Sequence, residues 1–148
     1  MATATKFQCF VTDLVDGVHD LVGTQVGTDI DDWKVYLSNT APDVETDEGK
    51  ADLEEISTGN GYTGPVSITP EGTASAGTVT LTGAKVTITA SGGAVGPFRY
   101  VVLFNDTSSG DRLALYWDYG SSITLNDGEK FEIKFSGSDT RGNVLTIS

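Results

Sequence analysis

The chain has 148 residues, with nine Lys and Arg against 21 Asp and Glu, for a formal net charge of −12. That length suits a single domain with a real core, and 38% hydrophobic with 20% charged residues excludes a wholly disordered chain. Scattered basic residues on an acidic background exclude a nucleic-acid partner, because phosphates need clustered Lys and Arg.

Residues 1–5 are small and polar and read as a loose, flexible arm. The start MATATKFQ has no apolar signal core, and no apolar run approaches the ~20 residues of a membrane span, so the expectation is a chain made in a cytoplasm with no membrane partner. Phe7, Phe10, Val11, Leu14, Val15 and Val18 recur at helical spacing and predict a short amphipathic helix over 6–16, ending near Gly17. A strand is the alternative for so short a pattern. Cys9 stands alone, which excludes an intramolecular disulfide and a Cys-based zinc site. Beside Phe7 and Phe10 it reads as a half-buried structural thiol.

VGTQVGTDIDD is a Gly- and Asp-rich loop, and DWKVYLSNT then alternates, with Trp33, Val35 and Leu37 on one face and Lys34, Tyr36 and Ser38 on the other. Residues 43–64 form an acidic and Gly-rich loop. Its first part, 43–55, carries seven acidic residues and one lysine and reads as solvated, with at most one helical turn at Ala51–Glu55. From Asn60-Gly61 onward the chain is β. VSIT, GTVTLTG and AKVTITAS alternate and are rich in Val, Ile and Thr. In FRYVVLFN, Phe98, Tyr100, Val102 and Phe104 share one face and Val101 and Leu103 the other, which predicts a central strand covered on both sides. RLALYWD returns with Leu113, Leu115 and Trp117 facing one way, a short strand and an Asp127-Gly128 turn follow, and EKFEIKF and NVLTIS close the chain. About eight strands at sandwich-like spacing predict an all-β fold, a single-domain antiparallel β-sandwich of jelly-roll-like kind over 1–148, with a short N-terminal helix or arm.

Chemistry is sparse. His19 is the lone histidine. No Ser or Cys motif accompanies it, so a surface or capping role is the simpler reading and no catalytic residue is assigned. DIDD resembles the start of a Ca²⁺ loop, but Lys34 stands where Gly is required and Thr40 where the bidentate Glu is required. Asp29, Asp31 and Asp32, or Asp106 and Asp111 with Asn105, are the positions a hard cation would use. Each group is more simply a turn, and no metal or cofactor is expected. Trp117, Tyr116 and Tyr119 cluster in YWDYG. Trp117 falls on the core side and Tyr116 on the opposite, more exposed side, which leaves a weak case for stacking on sugar rings.

The succession FVTDLVDGVHDL, WKVYLSNTAPD, ISTGNGYTG, GPFRYVVLFNDT and YWDYGSSITLNDGEKFEIKF…GNVLTIS is similar to a family of small structural proteins of tailed bacteriophages, the capsid decoration or cement proteins. The resemblance implies a non-enzymatic virion protein that binds the major capsid protein on the outside of the head, as a homotrimer at three-fold or quasi-three-fold positions. A tail, neck or fibre module and a carbohydrate-binding host-attachment sandwich are the alternatives. The acidic stretch 43–55 is longer than the family pattern. Contacts with the shell are expected in the arm, at Thr3, Ala4, Thr5, Lys6 and Phe7, and in the loop bearing Asn105, Asp106 and Asp111.

Overall fold

The computed structural model describes residues 2–23 and 29–148. The elements in chain order are β1 (Ala4–Lys6), α1 (Cys9–Val15), β2 (Trp33–Ser38), β3 (Val66–Ser67), β4 (Glu71–Ser75), β5 (Thr78–Ala84), β6 (Val86–Thr89), β7 (Val95–Asn105), β8 (Arg112–Leu125), β9 (Lys130–Ile133) and β10 (Arg141–Ile147), with single 3₁₀ turns at Lys50–Asp52 and Phe135–Gly137. The expected β-sandwich with a short N-terminal helix is the fold found. The loop expected over 22–32 falls partly outside the described residues.

One layer is a five-stranded antiparallel sheet in the order β1-β8-β7-β2-β3. The other layer is built on β5 and β6, which Lys85 separates. β4 and β10 flank β5, and β9 flanks β6. Val86 pairs with Ile133 and Ala84 with Arg141, so β9 and β10 run along one side of the β5–β6 ribbon, with residues 134–140 looping out between them. Val, Ile and Thr at alternate positions make these strands fit a pleated, half-buried surface.

The large sheet is covered on both faces. Trp33, Val35, Leu37, Val101, Leu103 and Leu115 pack against Leu81, Val86, Ile88, Ile133 and Val144 of the second layer. On the opposite face Tyr36, Tyr100, Val102, Phe104 and Leu113 are closed over by Phe7 and Leu53, with Cys9, Val44 and Tyr116 partly buried against them. The faces expected for β2 are the faces observed. Sequence alternation misplaces two residues in the β7–β8 hairpin. Its register shifts between Phe98 and Tyr100 and again between Leu103 and Phe104. At the first shift β8 carries the extra residues, and Phe98 lies toward the second layer, where it meets Phe131 edge-on at 4.9 Å. The second skips Ala114 and turns Leu113 away from Leu115. An extra residue on one strand reverses every side chain beyond it.

Two N-terminal expectations change. Residues 4–6 are an edge strand rather than a loose arm, paired with Leu115–Trp117 of β8. The Phe7 N–H continues that ladder to the Ala114 carbonyl at 3.0 Å. The helix therefore starts at Cys9 rather than at 6, because the backbone before it is committed to the sheet. The acidic stretch is likewise more than a solvated loop. Its Leu53 has no exposed surface, and the Leu53 carbonyl accepts the Tyr36 hydroxyl at 3.0 Å. One hairpin was missed altogether. The β4–β5 turn at Ala76 and Gly77 has φ of 50° and 78°, the left-handed pair of a tight two-residue loop. β4 itself reads EGTAS, too small and polar to signal a strand.

Leu53 is the fully buried apolar residue that the 43–55 stretch inserts under the sheet, with Val44 partly buried against the same cluster. Leu53→Ala is expected to cost about 2–5 kcal/mol, measured by urea unfolding. A cost near zero would mean that the stretch rests on the sheet without contributing to its core.

Candidate functional site

The sequence-predicted positions gather in two places: a polar cluster at one end of β2 and β7, and a groove beside β1. In the cluster, Asp13 of α1 takes a bidentate contact from Arg112 of β8, at 2.7 Å from Nε and 3.0 Å from Nη2. Arg112 also reaches Glu48 of the acidic stretch at 3.1 Å, so one side chain joins α1, β8 and the 43–55 segment. The paired carboxylates hold the guanidinium pKa still higher than usual, the Asp13 hydrogen bond being the main cause.

His19 is buried rather than at the surface. Its ring stacks on Phe10 at 5.3 Å and tilts against Trp33 at 5.1 Å. It became a core residue because Phe10 and Trp33 sandwich it where α1 crosses the end of β2. Burial is the main cause that pushes its pKa down, partly offset by Asp13 and Asp31. Cys9 lies under the acidic stretch, with Sγ 3.5 Å from the Leu113 carbonyl. Burial, then Asp13, pushes its thiol pKa up, which keeps it a weak nucleophile.

The candidate cation positions converge, but on protein donors. Asp32 and Asp106 flank the Lys34 ammonium at 3.5 and 2.7 Å. Asp32 also accepts the Ser67 hydroxyl at 2.8 Å. Asp31 accepts from the Asp20 backbone at 2.6 Å and from Asn105 at 2.7 Å. Asp111 is a turn residue with φ of 50°, whose carbonyl takes the Lys50 N–H at 3.0 Å. Asp29 is exposed. Among the described residues no group of three His, Cys, Asp or Glu is placed to hold a metal.

The groove has a volume of about 580 Å³ and opens between β1 and the β9–β10 side of the second layer. Trp117, Tyr119, Phe131 and Phe135 line it, with Thr3 and Ala4 on its rim. Tyr119 is 56% exposed and meets Phe131 edge-on at 5.9 Å. Glu132 and Lys134 of its wall pair with each other at 3.4 Å, leaving the groove locally near neutral on a strongly acidic protein. Thr3, Ala4, Thr5 and Lys6 are exposed, and β1 is the last strand of its sheet, so its outer backbone edge has no strand partner among the described residues. Phe7 and Asn105, expected at a contact, are instead fully buried: Phe7 fills the lower core and Asn105 holds the polar cluster together. Asp106 is exposed, but its carboxylate is engaged by Lys34. Tyr116, expected to be open, is partly covered by Phe7 at 5.5 Å and Tyr100 at 6.0 Å. Sequence reading missed the groove because its walls come from β1, β8, β9 and β10, which only the fold brings together.

The Asp13–Arg112 pair is expected to contribute as a unit. Asp13→Ala should cost on the order of 3 kcal/mol in denaturant unfolding, because it leaves the partly desolvated Arg112 with only the more exposed Glu48 as a carboxylate partner. A double-mutant cycle with Arg112→Ala should return a coupling above about 1 kcal/mol, and additive losses would dismiss the pair as a tie.

No family model, no curated protein and no solved structure matches the chain.

Proposed function

We propose that the chain is a non-enzymatic virion structural protein that binds the outer surface of a bacteriophage capsid and works by contact rather than by chemistry. One observation carries the placement of that contact: an exposed edge strand, β1, runs along the rim of an aromatic groove with almost no net charge. Protein interfaces are rich in aromatics and poor in charge at their centres, and open strand edges take up a further strand by backbone pairing. The groove joins both features at the exposed segment Thr3–Lys6, one of the places where contact with the shell was expected. The reactive side chains favour the same reading. The lone histidine is buried among aromatics, burial pushes the pKa of the lone thiol up, and the clustered carboxylates are occupied by Lys34, Arg112 and Asn105.

A clamp of this kind needs no strong single contact. A trimer seated on a local three-fold axis engages three identical sites, and once one is bound the others bind at high effective concentration. The acidic remainder of the surface keeps free copies and decorated particles from sticking to one another. A tail, neck or fibre module would use the same groove on a different partner. A sugar-binding reading also has a specific observation in its favour, the exposed Tyr119 ring beside Trp117 and Phe131.

Purified protein mixed with undecorated heads of the encoding phage is expected to co-sediment with them. Native mass spectrometry of the free protein should show a trimer of the 15.5 kDa chain. Tyr119→Asp, at an exposed position, should weaken head binding by about tenfold or more with an unchanged melting temperature. Absence of binding to heads, with glycan binding that Tyr119→Asp abolishes, would replace the capsid reading with the sugar reading.

A further inference from the structure

The His19–Asn105 contact carries an inference that is independent of what the groove binds. His19 Nδ1 lies 2.9 Å from Asn105 Nδ2. The orientation of the Asn105 amide is fixed by its other partners. Oδ1 accepts the backbone N–H of Thr107 at 2.9 Å and of Ser108 at 3.2 Å. Nδ2 donates to Asp31 Oδ2 at 2.7 Å. Turning the amide over would set its nitrogen against two N–H donors and its oxygen against a carboxylate. Nδ2 is therefore the donor to His19, Nδ1 is an acceptor without a proton, and the neutral ring carries its hydrogen on Nε2.

A second proton can enter this ring only at Nδ1, where it would point at the Asn105 amino group. Two donors cannot share a 2.9 Å contact, so charging His19 breaks it. The same Asn105 nitrogen supports the contact between Asp20 and Asp31. Asp31 Oδ2 takes both Asn105 Nδ2 and the Asp20 N–H, and the Asp31 N–H returns to the Asp20 carbonyl at 3.2 Å. Leu21 continues this segment into the core, and its carbonyl lies so close to Gly72 of β4 that a Cβ there would fall 1.8 Å from the oxygen.

We propose that His19 and Asn105 form an acid-released latch, in which protonation of the imidazole detaches Asn105 and loosens the Asp20–Asp31 pairing from the sandwich. The charged groups facing the ring are Asp13 from α1, at 3.9 Å from Nε2, Asp31 from just before β2, and Arg112 from β8. Phe10 and Trp33, on the remaining sides, are uncharged. The two carboxylates favour the cation, but Arg112 opposes it and burial outweighs them, so the folded pKa lies below that of an exposed imidazole. The sign follows from linkage. Below about pH 6.5 the released ring takes up a proton that the latched ring refuses, so the latch is intact above that pH and weakens as pH falls toward the folded pKa.

The single histidine makes the test direct. ¹⁵N spectra of the imidazole are expected to show the Nε2–H form at pH 8 and a midpoint below that of an exposed imidazole. Amide-exchange protection factors of Asp20 and Asp31 should begin to fall below about pH 6.5 and level off at that midpoint, by about tenfold in all for each unit by which it lies below about 6.5. His19→Gln keeps an acceptor for Asn105 and removes the titration, so it should abolish this loss. If that variant does not fold, the unaltered protein decides alone, by whether the loss of protection levels off at the imidazole midpoint. An Nδ1–H ring, a midpoint at or above that of an exposed imidazole, protonation with no change in protection, or a loss that persists in His19→Gln would each overturn the latch.

Discussion

Burial of β7 on both faces is the constraint to which the other segments answer. From Tyr100 to Asn105 every residue of that strand is buried, and its neighbours share the condition, β2 over nearly all its length and β8 over Leu113–Leu115. A sheet that is apolar on both sides needs two covers. The β5–β6 ribbon with its flanking strands supplies one. The other is assembled from pieces with no regular layer of their own: Phe7 between β1 and α1, and Leu53 from the acidic stretch. The second cover is held by side-chain ties more than by a ladder, with Arg112 spanning Asp13 and Glu48, and Tyr36 bonded to the Leu53 carbonyl.

The same division separates chemistry from contact. Polar side chains are concentrated where the improvised cover meets the sheet. There the backbone leaves donors and acceptors that a regular layer would have paired, and Asn105 alone serves Thr107, Ser108, Asp31 and His19. Buried polar groups in such a place fix one arrangement when they are all satisfied and penalise it when one changes protonation. The groove beside β1 lies at the opposite kind of boundary, where two apolar layers part and neither closes the gap. A surface left open in that way suits a partner, which is why the functional reading rests there and not on the polar cluster.

Much of the architecture was legible in period and turn chemistry. Trp33, Val35 and Leu37 alternate without interruption and face the side that alternation assigns them, and the Asp127-Gly128 turn falls between β8 and β9 as expected. What was illegible has physical causes. Register shifts at Phe98 and Ala114 leave no mark on composition, yet they reverse Phe98 and Leu113. β8 looked like two strands because it bends across Tyr119–Ser122, where Gly120 takes a φ of 102°. β1 was invisible because three exposed residues carry no alternation, and only its distant partner makes them a strand. His19 looked like a surface residue because its burial depends on Trp33 and Phe10, neither of which is adjacent in sequence. The Lys34 cation that Asp32 and Asp106 share has the same origin, since the two carboxylates come from loops at the ends of different strands.

The pairing of Ala4 with Trp117 and of Lys6 with Leu115 has a consequence for biosynthesis. β1 is made long before it can be placed, because its partner in β8 leaves the ribosome well after it. Until then Phe7 and Phe10 have no core to enter, and the lower face of β2 has no cover. Contacts so distant in sequence are slow to form and leave apolar surface open while they wait. The acidic composition is well suited to that interval: nascent chains carrying many like charges repel one another while their apolar faces are still exposed. The charge that later surrounds the groove would thus protect the chain before the groove exists.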